Sequence, residues 1–131
     1  MDKVVVDTDV VSFGFKGDTR AALYQPHLAG KLAIISFMTY AELKRWALSR
    51  NWGKQRLLKL RQHVRSNFIV HPVSGRLCRW WAEVSQRADN NGRPISTADA
   101  WHAAVAMRYG IPLVTHNPAH FAGLTSITEA P

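Results

Sequence analysis

Three acidic residues that lie far apart in the sequence each adjoin an apolar run. Asp7 ends the run VVV, and Glu42 and Asp99 each begin a stretch of helical periodicity beside another apolar run. In a parallel sheet the carboxyl ends of the strands share one edge, and ligands bind in the crevice there. Carboxylates that converge repel one another unless a cation lies between them. The spacing therefore predicts that Asp7, Glu42 and Asp99 meet at a site for a divalent metal ion.

Each acid also has a purely structural explanation, which the sequence leaves open. The segments Thr39–Glu42 and Ser96–Asp99 both fit the helix capping box, in which the acid bonds back to a backbone amide. Asp7 and Asp9 suit a turn between a strand and a helix. A helix N-terminus also keeps a carboxylate ionised, and Mg²⁺ binds ionised carboxylates together with waters and phosphate oxygens. Capping and metal binding are thus compatible roles for the same residues.

The chain is strongly basic, with a formal net charge of +8. No acidic residue lies between Glu42 and Glu83, and that interval holds these cations: Lys44, Arg45, Arg50, Lys54, Arg56, Lys59, Arg61, Arg65, Arg76 and Arg79. Clustered cations attract phosphate backbones and release counterions on binding. The interval predicts a nucleic-acid-binding surface, with a solvated helical face or a surface for an acidic protein partner as alternatives. An acidic pocket in a basic protein favours an enzyme that acts on a polyanion.

Length and composition limit the classes of protein to which the chain can belong. At 131 residues the chain is predicted to be one domain, residues 1–131, with a substantial core. No apolar stretch approaches the roughly 20 residues that span a membrane, and the opening MDKVVVDTD lacks the features of a secretory signal. Cys78 is the only cysteine. We therefore expect a reduced, cytoplasmic protein without an internal disulfide.

Short apolar runs alternate with stretches of helical periodicity along the chain. The predicted strands are residues 3–6, 32–36, 68–70, 111–115 and 124–127. The predicted helices are residues 9–30, in pieces with breaks near Gly14–Gly17 and Pro26, and residues 40–48, 55–65, 77–88 and 98–109. His102 lies on the same predicted helix as Asp99 and is expected at the surface or partly buried. Alternating strands and helices indicate an α/β layer fold with a mostly parallel sheet.

Four sequence blocks, taken in order, resemble those of a known family. The first is hhhDTxhhS, here Val4–Ser12, and the second is Thr39–Leu43. The third is Asp99–Ala104, and the fourth is Gly110–Asn117, which precedes Phe121. In their order and spacing these blocks resemble the PIN-domain ribonucleases, particularly the VapC-type toxins of prokaryotic toxin–antitoxin pairs. The resemblance covers nearly the whole chain.

The resemblance implies a fold, an activity and a set of catalytic residues. The implied fold is a PIN-like three-layer α/β/α sandwich with a mostly parallel central sheet. The implied function is that of a type II toxin, an endoribonuclease that depends on Mg²⁺ or Mn²⁺ and hydrolyses RNA phosphodiester bonds. Asp7, Glu42 and Asp99 are then the catalytic, metal-binding residues. Of the cations, Lys44, Arg45, Arg50 and Lys54 are expected to bind the RNA.

Three further positions are assigned by the same resemblance. The family often has Asn where this chain has Asp9, which adds an acid. The usual fourth acid of the family falls at Asn117, which can ligate through its carbonyl oxygen or a water but contributes no charge. Thr115 is expected to help position an acid or a water. These three residues are therefore expected around the site or as weak ligands.

Partners are also implied. The resemblance places the helix of a cognate antitoxin in a groove built by helices that carry apolar residues between Leu43 and Trp81, and it implies a homodimer. The groove residues expected are Leu43, Trp46, Leu57, Leu58, Leu60, Trp80 and Trp81.

Two other functions stay open at this point. The first is a non-catalytic, basic nucleic-acid-binding module whose acids only cap helices. The second follows from VVVDTDVV, which resembles haloacid-dehalogenase-type phosphatases with Asp7 as nucleophile and Asp9 as general acid. That class also needs a later Lys, and no Lys follows Lys59.

Overall fold

Five short strands form one sheet in the computed structural model, which describes residues 2–128. The strands are β1 Lys3–Val6, β2 Leu32–Ser36, β3 Ile69–His71, β4 Leu113–Val114 and β5 Ile127–Thr128. The helices are α1 Thr8–Lys16, α2 Ala21–Leu28, α3 Phe37–Ser49, α4 Lys54–Asn67, α5 Gly75–Asn90 and α6 Thr97–Tyr109. A short 3₁₀ helix, Pro118–Phe121, follows β4.

The sheet has the order β3-β2-β1-β4-β5, and every pair of neighbouring strands is parallel. Strand β1 lies at the centre, where Val4 pairs with Ala33 and Val5 pairs with Leu113. An uninterrupted apolar run suits this position because a central parallel strand is buried on both faces. The carboxyl ends of β1, β2 and β4 therefore lie side by side.

Helices cover both faces of the sheet. The side chains of Val4 and Val6 pack on one face with residues of α1 to α4, such as Leu43 and Leu60. The side chain of Val5 points to the other face and packs with residues of α5 and α6. This alternation follows from the two-residue period of a strand. The arrangement confirms the predicted three-layer α/β/α sandwich.

The prediction for residues 9–30 was wrong in one respect. Pro26 lies inside α2 and does not end it. In a helix of eight residues, a proline in the last turn removes one backbone hydrogen bond and leaves the rest intact. The other predicted break, near Gly14–Gly17, is confirmed, because α1 ends at Lys16 and Gly17 adopts a left-handed conformation with φ of 67° that favours glycine.

The last two strands are shorter than the predicted residues 111–115 and 124–127, because only Leu113–Val114 and Ile127–Thr128 pair with a neighbouring strand. No helix within residues 2–128 combines the length and the apolar character needed to cross a bilayer.

Candidate active site

Asp7 lies at the end of β1 and caps the N-terminus of α1. Its Oδ1 accepts a 2.7 Å hydrogen bond from the amide of Thr8, and its Oδ2 accepts a 2.8 Å bond from the hydroxyl of Thr115. The residue is buried, and this burial raises the pKa of Asp7 above its usual value. His102 and Thr115 act in the opposite direction, whereas Asp99 and Asp9 raise the pKa further.

Glu42 does not occupy the capping position that the sequence suggested. Helix α3 begins at Phe37, and its N-cap is Ser36, whose hydroxyl accepts a 3.2 Å bond from the amide of Thr39. The predicted capping box Thr39–Glu42 is therefore wrong, since Thr39 already lies within the helix and Glu42 lies in its second turn. A carboxylate there cannot reach a free backbone amide of the first turn. Its position beside the carboxyl edge of the sheet needs another explanation.

The Glu42 carboxylate is held by two side chains. Its Oε1 accepts a 2.7 Å hydrogen bond from the hydroxyl of Thr8 and lies 3.1 Å from Nε2 of His102. Burial alone would raise the pKa of Glu42, but the hydrogen bonds from His102 and Thr8, with the charge of His102, outweigh it and lower the pKa. Glu42 is thus kept ionised.

Asp99 lies in the first turn of α6, as the sequence predicted. Ser96 is the N-cap, and its hydroxyl accepts a 3.2 Å bond from the amide of Asp99. The carboxylate of Asp99 does not complete the box in the described contacts, because its Oδ2 lies 3.2 Å from Nδ1 of His120. Asp99 instead extends towards Asp7.

The prediction for His102 was wrong. The expectation was a surface or partly buried side chain, but it is only 1 % exposed. Its Nδ1 lies 2.8 Å from Oγ of Ser36, and its Nε2 lies 3.8 Å from Oδ1 of Asp7. The sequence held one signal: His102 interrupts an otherwise small and apolar helix face, and Ala103 and Ala104 beside it are fully buried.

The structure brings some of the predicted residues together and places others beside them. Asp7, Asp99 and His102 each offer a ligand atom, and these atoms lie within 4.8 Å of one another. Glu42 is outside that group but contacts it through His102. Two buried or half-buried carboxylates at this spacing, with a third acid adjacent, fit a divalent cation, because oxygen ligands and a negative field are what such ions need. The residues present are therefore compatible with the implied Mg²⁺.

Asp9 and Asn117 pair with each other. The amide Nδ2 of Asn117 donates a 2.8 Å hydrogen bond to Oδ2 of Asp9, and its backbone N–H donates to the hydroxyl of Thr115 at 3.0 Å. Thr115 thereby connects this pair to Asp7. The neighbouring His116 contacts Tyr24 and the edge of the Phe13 ring, which anchors the segment after β4 to α1 and α2.

The four cations expected to bind RNA lie between Glu42 and the start of α4. Lys44 and Arg45 follow Glu42 on α3, Arg50 comes directly after that helix, and Lys54 begins α4. All four are exposed. Nζ of Lys44 lies 4.8 Å from the centre of the Tyr40 ring. Within residues 2–128, none of the four forms an ion pair, so their positive charges face solvent.

A groove runs between α3 and α4. It encloses about 350 Å³ and is lined by Tyr40, Leu43, Lys44, Lys54, Leu57, Leu58, Leu60, Arg61 and Val64. Leu57 and Leu58 are exposed within it. Part of the prediction was wrong. Trp46 does not line the groove and packs against Phe15 and Trp52. Trp80 and Trp81 lie on α5, against the opposite face of the sheet. The apolar residues expected to build one groove are thus divided between two faces by the sheet.

The chain is similar to known proteins over nearly its full length. The family model described as PIN domain matches residues 4–123. Ribonuclease VapC1 of Haemophilus influenzae strain Rd is 24% identical over 125 residues, which cover 94% of this chain and 92% of that protein. Among solved structures, DNA-bound VapBC from Salmonella typhimurium has a TM-score of 0.83 and 20% identity, and covers 98% of each chain.

A further structural neighbour is Mycobacterium tuberculosis VapC20, which is described as a Sarcin-Ricin loop cleaving toxin. Its TM-score is 0.62 at 23% identity, over 84% of this chain and 86% of that chain. These similarities agree with the resemblance drawn from the four sequence blocks. They argue against the phosphatase alternative, in which Asp7 was a nucleophile. The chain belongs to the PIN domain family.

Proposed function

We propose that this protein is a Mg²⁺-dependent endoribonuclease, a hydrolase that acts as the toxin of a type II toxin–antitoxin system. The observation that carries the proposal is the convergence of Asp7 and Asp99 at the carboxyl edge of the sheet, with Glu42 beside them. The names of its relatives, Ribonuclease VapC1 and a Sarcin-Ricin loop cleaving toxin, support RNA as the substrate.

Asp7, Glu42 and Asp99 are the residues that would hold Mg²⁺, or Mn²⁺ in its place. The raised pKa of Asp7 supports this role, because the buried charge lacks full compensation from the protein and a cation would supply it. An ion held there would supply the chemistry of lowering the pKa of a bound water and neutralising charge on the scissile phosphate. The proposed role of the three acids is to hold it at one edge of the RNA-binding surface.

The surrounding residues orient the acids. Thr115 and the Thr8 amide each fix one oxygen of Asp7, and the Thr8 hydroxyl fixes Oε1 of Glu42. Asn117 donates a hydrogen bond to Asp9 beside the site and contributes no charge of its own.

Lys44, Arg45, Arg50 and Lys54 are proposed to hold the RNA backbone. Their exposure, and their freedom from ion pairs within residues 2–128, leave the positive charge available to phosphates. Because Arg45 lies one helical turn after Glu42 on α3, a strand bound there would extend past the three acids.

The α3–α4 groove is proposed to bind the antitoxin. Exposed Leu57 and Leu58 supply its apolar floor, and Lys44, Lys54 and Arg61 supply a positive rim. These features fit an acidic amphipathic helix that folds on contact. Structural neighbours described as VapBC assemblies support a protein partner of this kind.

A homodimer in the cytoplasm completes the proposal. Exposed Ile69 and Val73, at and after the edge strand β3, lie outside the groove and are available to a second copy. Light scattering of the isolated chain at micromolar concentration is expected to give the mass of a dimer, and a monomer alone would contradict this part.

The test of the activity is to map new RNA ends after brief expression of the protein in a bacterial host. The wild-type chain is expected to produce new ends within minutes, whereas Asp99→Asn is expected to produce none. The remaining alternative is a nucleic-acid-binding module whose acids only cap helices. It predicts no new ends and no stabilisation of the purified protein by Mg²⁺.

A further inference from the structure

His102 links Glu42 to the interior of the fold. It lies on α6, is 1 % exposed, and contacts Ser36 at the start of α3 through Nδ1 and Glu42 through Nε2. The Glu42 side chain itself is 35% exposed and makes its other described polar contact with Thr8. The imidazole therefore connects the partly exposed carboxylate of Glu42 to the buried hydroxyl of Ser36.

The partners of His102 indicate how its ring is held. A carboxylate oxygen accepts, so Nε2 donates its hydrogen to Oε1 of Glu42 over 3.1 Å. The Ser36 oxygen already accepts from the amide of Thr39, which leaves the serine hydrogen free to point at Nδ1 over 2.8 Å. With a hydrogen on Nε2, the ring therefore satisfies both Glu42 and Ser36.

We propose that His102 is a positioning residue that holds the Glu42 carboxylate beside Asp7 and Asp99, with its own ring fixed by Ser36. The proposal rests on the proposed function in one respect, namely that Glu42 is a metal ligand. The physical reason is that a long side chain has many rotamers and loses that freedom when it binds an ion. A glutamate that is already held loses less, so the ion binds more tightly.

A direct role as metal ligand is the competing account of the same geometry. Nε2 lies 3.8 Å from Oδ1 of Asp7, and His102 belongs to the group that includes Asp99. Ligation, however, needs a free electron pair on Nε2, and the hydrogen bond to Glu42 occupies that nitrogen. The hydrogen-bond pattern therefore favours positioning, and the experiment separates the two accounts.

The experiment compares His102→Leu and His102→Gln with Val105→Ala, a control that alters a fully buried apolar residue of the same helix. Mn²⁺ binding is measured by titration calorimetry, and the pKa of the Glu42 carboxyl is measured by carbon NMR in the metal-free protein. His102→Leu is expected to weaken Mn²⁺ binding about ten- to a hundred-fold and to raise the pKa of Glu42. His102→Gln, whose amide can still donate to Glu42, is expected to cause a smaller loss of Mn²⁺ binding and a smaller rise in the pKa of Glu42. Val105→Ala is expected to change neither quantity.

Three results would overturn the proposal. One is that His102→Leu behaves like Val105→Ala in both measurements. Another is that Mn²⁺ binding is lost while the pKa of Glu42 is unchanged, which would make His102 a ligand. If His102→Leu does not fold, Ser36→Gly replaces it, because glycine is also an acceptable N-cap but lacks the hydroxyl that fixes the ring. The third result is that Ser36→Gly leaves both Mn²⁺ binding and the pKa of Glu42 unchanged.

These measurements use no RNA. Failure of the positioning role is therefore distinguishable from failure of the proposed ribonuclease activity, which new RNA ends in cells test separately.

Discussion

The hydroxyl of Thr115 donates a 2.8 Å hydrogen bond to Oδ2 of Asp7, and both side chains are buried. Asp7 follows β1 and Thr115 follows β4, so the bond joins the ends of two neighbouring parallel strands. The amide of Asp7 also donates to the carbonyl of Val114 over 2.9 Å. The orientation of this carboxylate is thus fixed by the sheet itself, before any ion or RNA arrives.

Asp7→Asn is expected to stabilise the metal-free protein. Burial raises the pKa of Asp7 in the folded state above its unfolded value, so the ionised form costs stability above the folded pKa, and this cost vanishes below the unfolded pKa. Asparagine still caps α1 but carries no charge. In EDTA at pH 7 we expect Tm to rise by about 3–5 °C, and at about pH 3 we expect no difference.

Asp89→Asn, an exposed position on α5, is the control and is expected to leave Tm unchanged. A lower Tm for Asp7→Asn at pH 7 would show that its ionised carboxylate stabilises the fold.

Glu42→Gln is expected to destabilise the metal-free protein, which is the opposite of the effect expected for Asp7→Asn. Hydrogen bonds from His102 and Thr8 hold the pKa of Glu42 below its usual value, so its ionised form stabilises the folded state above the unfolded pKa, and this contribution is lost as the pH falls through the folded pKa. Because the side chain is about one-third exposed, the effect is small. At pH 7 we expect Tm in EDTA to fall by about 1–3 °C, and a rise would contradict the assigned contacts.

Asn117→Asp is expected to affect the metal-free and metal-bound proteins differently. The introduced carboxylate faces Asp9, which now accepts a hydrogen bond from the amide of Asn117. Repulsion should lower Tm in EDTA, while the added charge should tighten Mn²⁺ binding in a calorimetric titration. Asn90→Asp on α5 controls for net charge alone. Unchanged or weaker Mn²⁺ binding would remove Asn117 from the surroundings of the metal site.

Charge reversal separates the RNA and antitoxin surfaces. Arg61 lines the α3–α4 groove, whereas Arg45 is exposed on α3 outside the residues that line it. We expect Arg61→Glu to weaken antitoxin binding about ten-fold and Arg45→Glu to weaken RNA binding similarly, each measured by fluorescence anisotropy with an inactive Asp99→Asn background. The double variant should weaken both. If it changes neither, the two arginines are only solvated.

Much of the fold and part of the site could be predicted from the sequence because the signals are local. The VVV run before Asp7 identifies a buried central strand, and Ser96 three residues before Asp99 identifies a helix start. Both acids lie where these local patterns place them. The alternation of strands and helices then determines which edge of the sheet they share.

The features of the site that were predicted wrongly depend on contacts between residues that are far apart in the sequence. Ser36 and Thr39 can both cap a helix, and the choice of Ser36 follows from where β2 ends, which its pairing with His71 on β3 determines. His102 lies in an alanine-rich helix, but its partners Ser36 and Glu42 are at least 60 residues away. No local pattern reports such a contact. The apolar residues around His102 indicate a buried helix face, but they identify neither the partners of His102 nor the position of Glu42.

The central claim is that Asp7, Glu42 and Asp99 form a metal-dependent ribonuclease site. The most direct measurement is cleavage of a structured RNA by purified protein in Mg²⁺, in Mn²⁺ and in EDTA. Wild type is compared with Asp7→Asn, Glu42→Gln and Asp99→Asn, each first shown to be folded by circular dichroism. We expect cleavage by wild type with either ion, none in EDTA, and at least a hundred-fold loss, roughly, in each variant. Cleavage at the wild-type rate by all three folded variants, or by wild type in EDTA, would contradict the claim.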